Sequence, residues 1–265
     1  MIVLITGASG GLGQVLAKSL VDKDITVYGT MRKPEGREND YPFPLLPLDA
    51  GSEESVQACV QAVLDREGRI DAVINCVNSM IIGSVEETSI RDVQSLYDTN
   101  VFGVMRICKA VIEPMKAAGG GTIVNMSSLG GLLAVPLMST YTSAKFALEA
   151  FSEALYHEMK PHGISVVIMQ PVAMRMDRPA VGDHLRLVDG VSEDSRSHLM
   201  VDRMDKDTRA SKLTPEMVSD RIHSVLTSNN KQLRVPMDRA RAVSVLKRLA
   251  PQSVIDKLIG GLLSG

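Results

Sequence analysis

Ile2-Val3-Leu4-Ile5-Thr6-Gly7-Ala8-Ser9-Gly10-Gly11-Leu12-Gly13 is the stretch on which the fold turns. Its apolar run passes directly into a glycine-rich turn and then into a helical pattern, which predicts a buried strand at 2–6 and a helix at 12–22. The first N–H groups of such a helix lack internal partners and carry the positive end of its dipole, so a pyrophosphate fits there. Glycine is needed because a Cβ would block the tight turn, the close approach of phosphate, or the packing of helix on strand. Gly7, Ser9, Gly11, Leu12 and Gly13 are therefore expected to cradle a dinucleotide. An ordinary glycine-rich turn has the same composition, and the position at the first strand-to-helix junction favours the phosphate site.

Outward from this stretch, short β-branched runs alternate with longer helical ones. Strands are expected at 2–6, 25–30, 44–48, 71–75, 121–126, 164–169 and 232–235, and helices at 12–22, 52–67, 89–118, 140–160 and 214–227. This alternation predicts an α/β fold, a doubly wound, seven-stranded parallel sheet with helices on both faces. At 265 residues and 45% hydrophobic content, the chain fits one domain spanning 1–265. Two regions break the repeat. Residues 173–212, rich in Asp, Arg, Ser and Met, are expected to form a substrate lid. Residues 239–265, with Val243, Leu246, Leu249, Val254, Leu258 and Leu262 among basic residues, predict one or two amphipathic helices packed on the body or on a second subunit.

Charge narrows the partners. The 29 basic and 31 acidic side chains leave a net charge of −2, which gives no broad field for nucleic acid or anionic lipid. No run approaches the length of a membrane span, and residues 2–6 lack the features of a signal peptide. Cys59, Cys76 and Cys108 form no CxxC pair, so a reducing, cytoplasmic setting is expected. His157, His162, His184, His198 and His223 show no ligand spacing, and no metal is expected. Several of the 15 methionines, including Met138, Met174, Met176 and Met200, fall in or near the lid; core packing and a flexible apolar substrate pocket both account for them.

The second strand runs Tyr28-Gly29-Thr30-Met31-Arg32-Lys33. An NAD site usually has an acid there to bond the ribose 2′-OH, and Met31 stands in its place. Arg32 and Lys33 are suited to a 2′-phosphate, so NADP(H) is expected over NAD(H).

Together these residues resemble the classical short-chain dehydrogenase/reductase family over residues 1 to about 236. Its TGxxxGxG motif is Thr6 to Gly13, its adenine-contacting acid is Asp49 in Pro47-Leu48-Asp49-Ala50, and its NNAG begins at Asn75. Its helix asparagine is Asn100, its catalytic serine is Ser128 in Ser127-Ser128, and its YxxxK is Tyr141 to Lys145. The resemblance implies a Rossmann-like fold and catalysis by Asn100, Ser128, Tyr141 and Lys145. It implies cofactor contacts from Asp49, Ala50, Asn75, Tyr141, Lys145 and Pro171. By the same resemblance, Ser128 would hold the substrate oxygen, Lys145 would bond the nicotinamide ribose, and Asn100 would organise a water behind Lys145. A homodimer or homotetramer built through helices 89–118 and 140–160 is also implied.

Lys145 follows Tyr141 by one helical turn, which puts the two side chains on one face about 6 Å apart at Cβ. Lowering a phenol by about three pKa units takes roughly 4 kcal/mol. A cation about 4 Å away at an effective dielectric of about 20 supplies that much, so Tyr141 is expected to be a general acid or base with a depressed pKa. The chain departs from the family pattern at Cys76, Asn78, Val172 and Met176, and Val172 stiffens a backbone that glycine leaves free. The function expected is hydride transfer between NADP(H) and the carbonyl or secondary alcohol of a fairly apolar small molecule. One alternative is a non-catalytic dinucleotide-binding sensor or scaffold. Another is an epimerase or dehydratase of the extended family, which usually needs more chain after residue 171.

Overall fold

The computed structural model of the protein describes residues 1–37, 39–175 and 185–261. Within it the chain runs β1 (Ile2–Thr6), α1 (Gly11–Val21), β2 (Thr26–Met31), β3 (Leu45–Pro47), α2 (Glu53–Glu67), β4 (Ala72–Asn75), β5 (Met80–Ile82) and α3 (Ile90–Tyr97). A π-helical turn (Asp98–Phe102) leads into α4 (Gly103–Ala117), followed by β6 (Gly121–Met126), α5 (Ser139–Met159), β7 (Ile164–Gln170) and β8 (Leu185–Leu187). The chain continues through α6 (Ser197–Ala210), α7 (Pro215–Thr227), β9 (Arg234–Pro236), α8 (Ala240–Leu249) and α9 (Gln252–Gly260).

Seven strands form one sheet in the order β3-β2-β1-β4-β6-β7-β9, all pairs parallel. Alternate side chains of each strand enter different cores. Val3 and Ile5 pack with Leu16 and Leu20 of α1 and Ile222 of α7, whereas Leu4 packs with Val60 of α2, Ile107 of α4 and Leu148 of α5. Fully burying one such aliphatic side chain stabilises the fold by roughly 1.5–3 kcal/mol, which is why the strands are apolar along their whole length. The strand order reverses between β1 and β4. Ligands of doubly wound sheets bind beyond the carboxyl ends of strands at such a reversal, and here the Gly7–Gly13 turn lies there.

The helix ends follow local chemistry. Ser52 caps α2 by accepting from the Ser55 N–H, Glu53 and Glu54 fill its first turn, and Gly68 closes it in the left-handed region. Thr214 caps α7 ahead of Pro215.

Two features differ from the sequence reading. The single helix expected at 89–118 is broken by the π-helical turn, a form that recurs at functional sites. Gly103 permits the close approach of α4 to Ala50, since a Cβ at 103 would lie 2.8 Å from the Ala50 Cβ. A second sheet, in which β5 pairs in parallel with β8, was not expected because three-residue strands leave too few positions to set a period. The expected lid contributes β8 and α6, and its residues 176–184, Met176 and His184 among them, lie outside the described residues. The tail forms two helices, as its pattern predicts; residues 262–265, including Leu262, lie outside the described residues.

β4 and β6 are joined to α5 by a buried polar chain. Asn75 Nδ2 donates to Asn125 Oδ1 at 2.8 Å, Asn125 Nδ2 donates to Ser152 Oγ at 2.9 Å, and Ser152 Oγ donates to the Leu148 carbonyl at 2.6 Å. Ser152→Ala should leave the Asn125 amide without its acceptor and lower the unfolding free energy by about 1–3 kcal/mol. A urea titration reads this directly, and a change below about 0.5 kcal/mol would show that the chain adds nothing to stability.

Candidate active site

Tyr141 and Lys145 lie in the first turns of α5, where the helix meets the end of β6. The Lys145 ammonium stands 5.7 Å from the Tyr141 ring centre and donates to the Met126 carbonyl at 2.8 Å. Both side chains are buried, Tyr141 at 5% exposure and Lys145 at 2%. Ser128, two residues beyond β6, hydrogen-bonds the Tyr141 hydroxyl and accepts from the Gly130 N–H at 3.1 Å. Glycine at 130 makes room for the phenol, because a Cβ there would lie 3.1 Å from Tyr141 Cε1. The structure thus brings together three residues, Ser128, Tyr141 and Lys145, that the sequence separates.

Their protonation departs from expectation. Burial pushes the Tyr141 phenol up to about 12, only partly offset by the Ser128 hydrogen bond. Burial also pushes Lys145 down to about 8, against the opposing pull of Cys76 and Glu149. The sequence argument weighed the attraction between the two groups without the cost of desolvating each, and here the ammonium is turned toward a carbonyl. By its own residues, then, the site holds Tyr141 protonated at neutral pH, in the form of an acid.

Asn100 is fully buried in the π-helical turn. Its Oδ1 accepts from the Ser79 N–H at 2.7 Å and its Nδ2 donates to the Ser79 carbonyl at 2.6 Å. Its side chain thus clamps the backbone that follows β4.

The glycine turn has the shape its sequence predicts. Gly7 and Gly11 have φ of +69° and +54°, and a Cβ on Gly13 would lie 2.3 Å from the Gly7 carbonyl oxygen. No side chain caps α1 and no acid occupies its first turn, so its leading N–H groups face the turn containing Ser9, and Leu12 packs into the core below. Arg32 and Lys33 are exposed at the end of β2, with no ion-pair partner among the described residues. These features fit a dinucleotide. Asp49 is exposed and accepts from the Gly51 N–H at 2.9 Å, beside buried Ala50. The Pro171 carbonyl accepts from the Leu129 N–H at 2.9 Å, and Val172 is buried in the core. The Asn75 side chain belongs to the buried chain described above.

Arg37 was missed by the sequence reading. Its Nη2 donates to the Tyr41 hydroxyl at 2.6 Å, and that hydroxyl donates to the Ser9 carbonyl at 3.0 Å, which adds a cation beside the glycine turn. An aperiodic loop carries it, so nothing in the spacing pointed to it.

The surroundings of Tyr141 on this side are apolar. Ile82, Met138, Leu185, Val188 and Met200 form one buried cluster with Tyr141, so β8 and α6, from the region expected as a lid, pack against the site. Glu87 holds α6 by accepting from Ser197 Oγ at 2.6 Å. No cluster suited to a metal occurs among the described residues, and no described helix is long and apolar enough to cross a membrane.

The sequence model of the short chain dehydrogenase family matches residues 1–180. This chain belongs to that family. A 3-ketodihydrosphingosine reductase of Bacteroides thetaiotaomicron is 40% identical over 170 residues, 64% of this chain and 62% of the relative, so the match leaves more than a third of that protein uncovered. An uncharacterised oxidoreductase of Escherichia coli K12 is 30% identical over 98% of this chain and 94% of its own. The crystal structure of a short-chain dehydrogenase from Streptomyces avermitilis superposes with a TM-score of 0.82 at 29% identity, covering 97% of this chain and 94% of that one. Two Burkholderia structures share the fold at TM-scores of 0.77, each covering at least 93% of either chain. One, at 19% identity, is in complex with NADP; the other, at 21%, is in complex with NAD.

The buried ammonium has a measurable signature. Below about pH 8 folded and unfolded chains both hold the Lys145 proton and the full cost of burying the charge stands; between about 8 and 10.5 the unfolded chain binds more protons, so stability rises with pH. Relative to Lys145→Met, the unchanged chain should gain roughly 3 kcal/mol of unfolding free energy from about pH 7.5 to 10.5 in paired urea titrations. A difference that stays flat with pH would mean that the lysine titrates as it does in water.

Proposed function

We propose that the protein is an NADPH-dependent reductase that converts a ketone on an apolar small molecule into a secondary alcohol. The observation that carries this reading is the buried Ser128–Tyr141–Lys145 group with its phenol protonated. Reduction needs a proton donor at the carbonyl oxygen, and a phenol held in its acid form is one. NADPH, when bound, supplies the hydride. Ser128 Oγ holds the substrate oxygen, the Tyr141 hydroxyl gives that oxygen its proton, and the Lys145 charge stabilises the phenolate left behind. Gly7, Ser9, Gly11, Leu12 and Gly13 would bind the pyrophosphate through backbone N–H groups, with Asp49 and Ala50 toward the adenine and Pro171 toward the nicotinamide.

The choice of NADPH over NADH rests on Arg32 and Lys33, two exposed cations with no ion-pair partner among the described residues, next to Met31, which stands where an NAD site has an acid. The fold does not decide this, since its structural neighbours include complexes with either dinucleotide. An apolar substrate is supported by the methionine and aliphatic cluster packed on Tyr141 and by the relative named a 3-ketodihydrosphingosine reductase. Exposed Phe102 and Phe146 lie on the surface through which a homodimer or homotetramer would form.

Two experiments test the reading. Tyr141→Phe should reduce NADPH-driven turnover of a ketone panel about 10²–10⁴-fold while leaving NADPH binding within about twofold, as followed by nicotinamide absorbance and fluorescence. No turnover of any ketone by the unaltered protein, with NADPH still bound, would leave a dinucleotide sensor instead. Arg32→Ala should weaken NADPH by about tenfold or more and leave NADH nearly unchanged in fluorescence titrations; equal weakening of both would refute the 2′-phosphate assignment.

A further inference from the structure

Tyr141 and Lys145 do not end the polar face of α5. Glu149 is the next residue on the same stripe, one turn beyond Lys145, and it is 6% exposed. A carboxylate buried to that degree is costly unless bonded, and this one is bonded on both oxygens. Oε1 accepts from Gln170 Nε2, at the end of β7, at 2.9 Å, and Oε2 accepts from Arg234 Nε, in edge strand β9, at 3.0 Å. Arg234 also holds Glu153 at 2.8 Å. The turn after Ser128 is built to admit the carboxylate, since a Cβ on Gly131 would lie 3.1 Å from Glu149 Cγ and 2.4 Å from Ser127 Oγ.

We propose that Glu149 is a positioning residue for the catalytic pair: clamped by Gln170 and Arg234 one turn beneath Lys145, its carboxylate keeps that buried ammonium protonated and aimed along the site. The Met126 carbonyl from β6 accepts from the ammonium and the Tyr141 ring centre lies 5.7 Å from it. The Cys76 thiol beyond β4 and Glu149, one helical turn further along α5, act on it without direct contact. Burial pushes the Cys76 thiol up to about 12 and the phenol is likewise raised, so both are neutral and Glu149 is the anion among the four. Arg234 pairs with both Glu149 and Glu153, so these three side chains together carry one net negative charge. The anchoring arginine sits on the far strand of the sheet, which makes β9 part of the support for the site.

This inference rests on Lys145 acting as the charged partner of Tyr141 in the reductase proposed above, so its test reads Lys145 without turnover. In protein carrying ¹³C-labelled lysine, the Lys145 side-chain resonance is identified by its loss in Lys145→Arg, and its midpoint is followed with pH in the unaltered chain and in Glu149→Gln. The glutamine still offers an acceptor to Arg234, which keeps Glu153 as its counter-ion. The Lys145 midpoint should fall by about one pH unit, a tenfold loss of proton affinity, and Glu149→Asp should restore most of it. The alkaline limb of the kcat/KM profile should move to lower pH by the same amount. An unchanged midpoint in Glu149→Gln overturns the proposal whatever the activity. A lowered midpoint in a protein that turns over no ketone supports it and sinks the reductase reading instead. If the single variant does not fold, Glu149→Gln with Arg234→Gln removes both buried charges together; a smaller drop supports the proposal, and an unmoved midpoint overturns it.

Discussion

A single ammonium group withdrawn from water sets the demands that the rest of the site meets. Lys145 is almost fully buried against the Met126 carbonyl, and an isolated charge in such a place would lose its proton or unfold the helix beneath it. The surroundings answer this with a backbone acceptor from β6 and a braced carboxylate from α5, tied in turn to β7 and β9. The same burial raises the neighbouring phenol. Acid and cation are thus products of one desolvated corner, and the pair is set by what surrounds it more than by its separation.

The sheet places this corner beside the dinucleotide turn. Reversal of strand order between β1 and β4 opens a crevice at their carboxyl ends, and β6, next to β4, delivers Ser127 and Ser128 to its wall. Gly13 presses on the Gly7 carbonyl so closely that any side chain would part helix from turn. The polar chain from Asn75 to Ser152 fixes β4, β6 and α5 in mutual register from inside the core, so the catalytic helix cannot slide relative to the strand that carries the serine.

Much of this was legible in the residues. The seven main strands came from continuous apolar runs, because burial on both faces leaves no polar alternation to blur them. Tyr141 and Lys145 came from one helical turn of spacing, and Gly7 and Gly13 from steric need. The unread parts share a cause. The π-helical turn holding Asn100 adds one residue to an otherwise regular helix, which apolar spacing across 89–118 absorbs without a mark. β5 and β8 are too short for a period. The downward push on the phenol was overstated because a sequence gives separations along a helix but not the solvent lost on folding. Asn75 and Glu149 owe their contacts to partners 50 and 85 residues away in Asn125 and Arg234, and Arg37 reaches the glycine turn only through Tyr41, whose own partner Ser9 is 32 residues off; no local pattern encodes such pairings.

The small β5–β8 ladder has a wider meaning for selectivity. β5 begins at the residue directly after Ser79, the backbone unit that Asn100 grips from both sides, and β8 leads on to α6. In the proposed reductase, a molecule that pushed β8 outward would strain β5 within one peptide of that clamp. Bulk would then be read in the rate of proton delivery and not only in the strength of binding.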